Sequence, residues 1–250
     1  MTRSDVREVD GVRLAALHLP GPVGHEPVVM LPGLALSGRT LLPAVRAFAA
    51  FADVWALDLP GAGASGRPPR AYDVDDHART VLRWCDAVGL GPVTLLGHSV
   101  GCQPALAAAQ QDPGRVSAVV LSAPTGDPAA EDWPTYVGRW LLDGLREPPR
   151  QLPDLVRDWL RADVRTSAHT LVALRHDDVL DRLARVSCPA LVLRGGRDAI
   201  APQAWSEELA RRLPQGRLVV LPGQPHNALT LAADQAAAVV RDFLVQRGGA

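Results

Sequence analysis

The sequence predicts an α/β protein: a mostly parallel, doubly wound sheet carrying a small all-helical insert after its sixth strand. Two observations point to it. Short runs rich in valine and leucine alternate with longer amphipathic runs along most of the chain, the pattern of strands connected by helices. From Pro124 to about Arg185 that alternation stops, and only helix-like runs remain.

The elements follow in order. Val6 to Val9 and Val12 to Leu19, joined at Asp10-Gly11, suggest an opening hairpin, since that dipeptide tolerates the positive φ a tight turn needs. A strand at Val28 to Leu31, a helix near Thr40 to Ala50, a strand at Val54 to Leu57 and a helix near Val74 to Val88 come next. Val93, Leu95 and Leu96 read as a buried strand, the Ala-rich run from Pro104 to Gln111 as a helix, and Ser117 to Leu121 as the sixth strand. In the insert, WPTYVGRWLLDGL, LPDLVRDWLRADV and SAHTLVALRHDDVLDRL read as short amphipathic helices between proline-rich breaks. Strands at Ala190 to Leu193 and Leu218 to Leu221 and a last helix complete the pattern. Residues 1–123 and 186–250 are thus expected to form the core and 124–185 the insert.

Composition bounds the answer loosely. The 250 residues are 47% hydrophobic, enough for one large core with a small insert. A net charge of −1 gives no reason to expect nucleic acid or a membrane surface as a partner. Cys85, Cys102 and Cys188 are odd in number and far apart, which fits a reducing compartment better than a disulfide framework. The start MTRSDVREVDGVRL holds no apolar run of signal-peptide length, so a cytoplasmic location is expected.

The chemistry centres on Gly97-His98-Ser99-Val100-Gly101, a Gly-x-Ser-x-Gly string between a strand-like and a helix-like run. A serine on a sharp strand-to-helix turn is forced into a strained backbone that lifts its hydroxyl clear of the sheet. Glycines on either side leave room for the neighbouring strand and helix. The Val100 amide, at a helix N-terminus, is placed to stabilise an oxyanion. A hydroxyl nucleophile needs a base, and the base needs a group that fixes its tautomer. Of seven histidines, His226 lies in the Pro-rich loop LPGQPHNAL directly after a strand-like run. Asp198 lies in LVLRGGRDAIAP, just past the strand that ends in two glycines. Ser99, Asp198 and His226 therefore each follow the C-terminal end of an expected parallel strand, and such positions converge at one edge of an open α/β sheet.

On these residues the chain resembles the α/β-hydrolase fold family with a serine nucleophile, over essentially its whole length. DLPGAGASGRP at Asp58 to Pro68 is similar to the family's Asp-x-Pro-Gly-x-Gly-x-Ser loop, and LPGLALSG at Leu31 to Gly38 to its oxyanion loop. Pro32 stands where the family usually has histidine. The resemblance implies a catalytic triad of Ser99, Asp198 and His226, an oxyanion hole from the Leu34 and Val100 amides, and a helical cap over the site. It implies no metal and no organic cofactor. Asp127, just past the sixth strand, is a rival acid, since a few members place it there. The reaction expected is hydrolysis of a carboxylic ester, lactones included, of a small and mainly apolar substrate. A carbon–carbon hydrolase of ring-cleavage products is the alternative, although Asn227 and His98 replace the tryptophan and asparagine of that group. A non-catalytic ligand-binding protein on the same scaffold is the third reading.

Other signals read as structure. Gly61 to Gly66 spells Gly-x-Gly-x-x-Gly but precedes Arg67-Pro68-Pro69 instead of a helix, so it has no helix N-terminus for a pyrophosphate. His169 and His176, even read with Asp177, lack a further convergent metal ligand. Trp133, Tyr136, Trp140 and Trp159 hold four of the chain's eleven aromatics; helical spacing serves equally for packing and for the roof of a substrate pocket, and they are taken as substrate-binding candidates.

Overall fold

The computed structural model describes residues 2–130 and 132–247. Eight strands form one sheet: β1 (Arg3–Val9), β2 (Val12–Leu19), β3 (Val28–Leu31), β4 (Val54–Leu57), β5 (Val93–His98), β6 (Val116–Ser122), β7 (Ala190–Gly195) and β8 (Gly216–Leu221). Their spatial order is β1-β2-β4-β3-β5-β6-β7-β8. β1 and β2 pair antiparallel, as do β2 and β4; every later pair is parallel. The opening hairpin turns at Asp10 and Gly11 with φ of 51° and 76°, as the Asp-Gly dipeptide predicts.

Helices α1 (Leu42–Phe48), α2 (Val74–Val88) and α3 (Cys102–Gln111) connect the first six strands. α2 starts on Asp73, whose side chain accepts from the Asp76 N–H, and stops at Gly89 with φ 75°, so it runs over the expected span of Val74 to Val88. Between β6 and β7 lie α4 (Trp133–Gly144), α5 (Leu152–Arg161), α6 (Val164–Arg175) and α7 (Val179–Leu183); α8 (Gln203–Arg212), α9 (Ala228–Leu231) and α10 (Ala233–Arg247) follow. The third helical segment of the insert reads as one helix in sequence but forms two. Asp178 caps a new helix by accepting from the Asp181 N–H, and that local bond competes with continuing α6.

Strand side chains alternate between two apolar layers. Val29, Leu31, Leu95, Val119 and Leu121 pack with Trp84 of α2 and Leu106 of α3 on one face. Val28, Met30, Leu96 and Val120 pack with Phe48 of α1 and Phe243 of α10 on the other. Leu174 of α6 and Val179 and Leu183 of α7 join the first layer, which anchors that half of the insert. Cys85, Cys102 and Cys188 are buried free thiols. Among the described residues no helix is long and apolar enough to cross a membrane.

Candidate active site

β5 ends at His98, and Ser99 takes φ 55°, a left-handed conformation that costs a non-glycine residue on the order of 1–3 kcal/mol. The glycines around it are required by backbone on both sides. A β-carbon on Gly97 would lie 2.4 Å from the Gly101 carbonyl oxygen, and one on Gly101 would lie 2.4 Å from the Leu31 carbonyl oxygen and 2.8 Å from that of Pro32. Gly101→Ala is therefore expected to lower stability by about 1–3 kcal/mol, because neither wall is a side chain that can rotate away. Urea unfolding measures it; an unchanged midpoint at constant m-value would mean that α3 and β3 are not packed this closely.

Ser99 Oγ donates to His226 Nε2 at 2.9 Å, and the His226 Nδ1–H donates to Asp198 Oδ2 at 3.0 Å. Asp198 Oδ1 accepts the Ile200 and Ala201 N–H groups at 2.8 and 2.9 Å. Behind it, buried Arg194 at the end of β7 donates to the Asp198 carbonyl at 2.9 Å and to the Ala201 carbonyl at 3.0 Å. Burial works to raise the Asp198 pKa, but the facing His226 and the two amide bonds outweigh it and hold the carboxyl below its usual range. Burial likewise works to lower the His226 pKa. The charge and hydrogen bond of Asp198, with smaller contributions from Asp143 and Glu147, hold it above the ordinary imidazole value.

His98, inside the motif, does something else. Its Nε2–H donates to Asn227 Oδ1 at 3.0 Å, linking the Ser99 turn to the His226 loop. Burial, followed by the neighbouring His226, pushes its pKa down to about 4, so it stays neutral. Cys102 donates its S–H to the Gly97 carbonyl at 3.2 Å and is part of the packing of the turn.

The Leu31 to Gly38 loop runs beside Ser99. A β-carbon on Gly33 would lie 3.5 Å from Ser99 Cβ and 3.9 Å from its Oγ, and Leu34 follows in a turn closed by the Leu36 N–H on the Gly33 carbonyl. Val100 borders two cavities. One, about 30 Å³, includes Gly33 and Leu34 in its wall. The other, about 640 Å³, runs under the insert between Leu174, Val179 and Ile200 and the polar side chains of Gln103, Tyr136 and Arg175.

Of the four aromatic candidates, Tyr136 lines the larger cavity, and Trp133, Trp140 and Trp159 do not. These three are exposed; Trp133 covers the Arg175 guanidinium at 4.4 Å, and Trp140 and Trp159 pack on each other at 5.9 Å. The inward face of α4 is centred on Arg139, Asp143 and Tyr136; Trp133 and Trp140 stand on the flank of Tyr136 next to the exposed Val137 and Leu141, and Trp159 is on α5.

Asp127 accepts from Arg139 at 2.6 Å, away from the imidazole that Asp198 engages. The glycine-rich loop after β4 wraps the buried Asp58, which accepts from the Gly38 N–H at 2.6 Å and the Ala64 N–H at 2.7 Å. His176 borders the larger cavity, and Asp177 pairs with Arg182 at 2.6 Å.

The sequence pattern of the family described as the alpha/beta hydrolase fold matches residues 26–166, more than half of the chain. The chain belongs to that family. A second pattern, described as TAP-like protein, matches residues 171–248. The chain is 30% identical to a pimeloyl-[acyl-carrier protein] methyl ester esterase of Neisseria meningitidis, over 76% of this chain and 82% of that protein. It is also 30% identical to the dihydrolipoyllysine-residue acetyltransferase component of the acetoin cleaving system of Pseudomonas putida, over 91% of this chain, while spanning 65% of that protein's length. A thermophilic esterase from Thermogutta terrifontis superposes with a TM-score of 0.81 at 22% identity, over 98% of each chain, a likeness of fold. The chain is a hydrolase of this family.

Three groups at the site carry no motif in the sequence: Asp143 near the end of α4, Glu147 in the turn after it and Asp158 of α5. Asp143 and Asp158 are buried, and all three accept hydrogen bonds from the loops around Ser99, Asp198 and His226. The one sequence signal, for Asp143, is its spacing with Tyr136 and Arg139 on a single face of α4.

Proposed function

We propose that the protein is a serine hydrolase that cleaves a carboxylic ester, lactones included, of a small and mainly apolar substrate through an acyl-enzyme on Ser99. The observation that carries this reading is the unbroken hydrogen-bond chain from Ser99 Oγ through His226 to Asp198, on a serine held at positive φ. His226 Nε2 takes the hydroxyl proton as Oγ attacks the ester carbonyl. Asp198 keeps the proton of the neutral ring on Nδ1 and supports the imidazolium. The Leu34 and Val100 amides receive the developing O⁻. The imidazolium returns its proton to the departing alkoxide, and the same nitrogen then activates the water that hydrolyses the acyl-enzyme. The relative that acts on a methyl ester supports an ester as the bond cleaved. The apolar wall of Leu174, Val179 and Ile200 supports an apolar acyl group, because a charged one would lose hydration there. Arg175 on the same cavity favours the second reading, a carbon–carbon hydrolase of carboxylate-bearing ring-cleavage products.

A fluorophosphonate is expected to add its mass at Ser99, and a panel of nitrophenyl esters, lactones and ring-cleavage products then ranks the bonds cleaved. No label at Ser99 would leave only a binding protein. In the pH profile of kcat/KM, activity rises as His226 loses its proton, since only the neutral ring accepts one. That pKa is raised, so the midpoint is expected above the ordinary imidazole value of 6.5. A midpoint at or below that value would contradict the Asp198–His226 pairing.

A further inference from the structure

α4 and α5 hold on to the core in an unusual way. Among the described residues neither helix contributes to the two apolar layers. Most of their large apolar side chains face outward, with Leu141 68% and Leu160 82% exposed, while Asp143 and Asp158 are each 3% exposed. Carboxylates therefore do the docking. Asp158 Oδ2 accepts the Ser37 N–H at 2.9 Å and its hydroxyl at 2.5 Å, beside the loop that carries Leu34.

The end of α4 reaches the other two loops. Asp143 Oδ1 accepts the His226 N–H at 3.2 Å and the Ala199 N–H at 3.4 Å. Glu147 Oε1 accepts the Asn227 N–H at 2.8 Å, and Arg146 donates to the Arg197 carbonyl at 2.6 Å. One carboxylate oxygen thus bridges the loop after β7 to the loop after β8, at the backbone of His226 and of the residue following Asp198. Loop amides at a buried edge need acceptors, and here the insert supplies them.

We propose that Asp143, assisted by Glu147, is a positioning residue of the reaction, setting the distance between the Asp198 and His226 loops and placing negative charge behind the imidazolium as it forms. This rests on the triad reading above. The two loops leave different strands, and a misplacement of about 1 Å between reacting groups costs on the order of a hundredfold in rate. The ionisable groups facing His226 are Asp198 from the loop after β7, His98 from β5, Asp143 from α4 and Glu147 from the turn after α4. Burial raises the pKa of both Asp143 and Glu147, repulsion from Asp198 adds to it for Asp143 and repulsion from Asp143 for Glu147, and His226 opposes it in each.

The test compares wild type, Asp143→Ala and Asp143→Asn in kcat, KM, rate of fluorophosphonate labelling at Ser99, and the acid limb of the kcat/KM profile. Asp143→Ala is expected to lower kcat and the labelling rate by about ten- to a hundredfold, with KM little changed. Asp143→Asn keeps an oxygen that can accept both N–H groups and removes the charge. It should recover most of kcat while its acid limb moves to lower pH, because one group favouring the imidazolium is gone. Wild-type kcat in a folded alanine variant, or an acid limb in the asparagine variant that does not move, would overturn the proposal. The asparagine arm stands alone should the alanine variant not fold. Wild-type protein that takes no label at Ser99 would overturn the triad reading itself, and this proposal with it.

Discussion

Ser99→Ala is expected to lower kcat by about a millionfold and to leave the fold intact. The hydroxyl hydrogen-bonds to His226 Nε2 and lies outside the apolar layers, so its removal opens no hole in the core. Alanine keeps a β-carbon at the same positive φ, so the backbone strain of the turn is unchanged. The net loss of one hydrogen bond costs about 1 kcal/mol. Thermal unfolding together with turnover on the best ester separates the two effects. A purified, folded variant with a tenth of the wild-type rate would remove Ser99 as nucleophile.

Asp198→Asn is expected to cost about ten-thousandfold, less than loss of the nucleophile and far more than any other acidic residue of the site. The hydrogen bonds explain why. Asp198 Oδ1 already accepts two backbone N–H groups and Oδ2 faces His226 Nδ1. An asparagine keeps its one oxygen on the two amides and turns its NH₂ toward Nδ1. The imidazole then carries its proton on Nε2, where it can no longer accept one from Ser99. Asp127→Asn is expected to leave turnover nearly unchanged, since the bond it loses is to Arg139. The opposite ranking of the two variants would move the acid to Asp127.

Much of this was legible along the chain. The Gly-x-Ser-x-Gly turn, the Asp-Gly hairpin and the limits of α2 are set by local chemistry: positive φ, close backbone approach and capping side chains act within a few residues. Ser99, Asp198 and His226 could be found together because parallel strands end at one edge, so three loops each following a strand must be neighbours. The direction in which the insert faces was not legible. Amphipathic spacing identifies two faces of a helix but carries no information on which one meets the core. Helical spacing served packing and pocket equally for Trp133, Tyr136, Trp140 and Trp159; Tyr136 alone of the four lines the larger cavity, because α4 and α5 present carboxylates to an edge of loop amides and leave their tryptophans exposed.

The sequence by itself determined the order of strands and helices, the Gly-x-Ser-x-Gly turn, and the meeting of Ser99, Asp198 and His226 at one edge of the sheet, because each depends on residues close in the chain or on the rule that parallel strands share an edge. The tertiary structure alone decided that Tyr136 lines the larger cavity, that His98 bridges to Asn227, and that Asp143, Glu147 and Asp158 hold the catalytic loops. Those contacts join residues up to 129 positions apart, such as His98 and Asn227, and a buried amide takes whichever acceptor the packed helix brings to it.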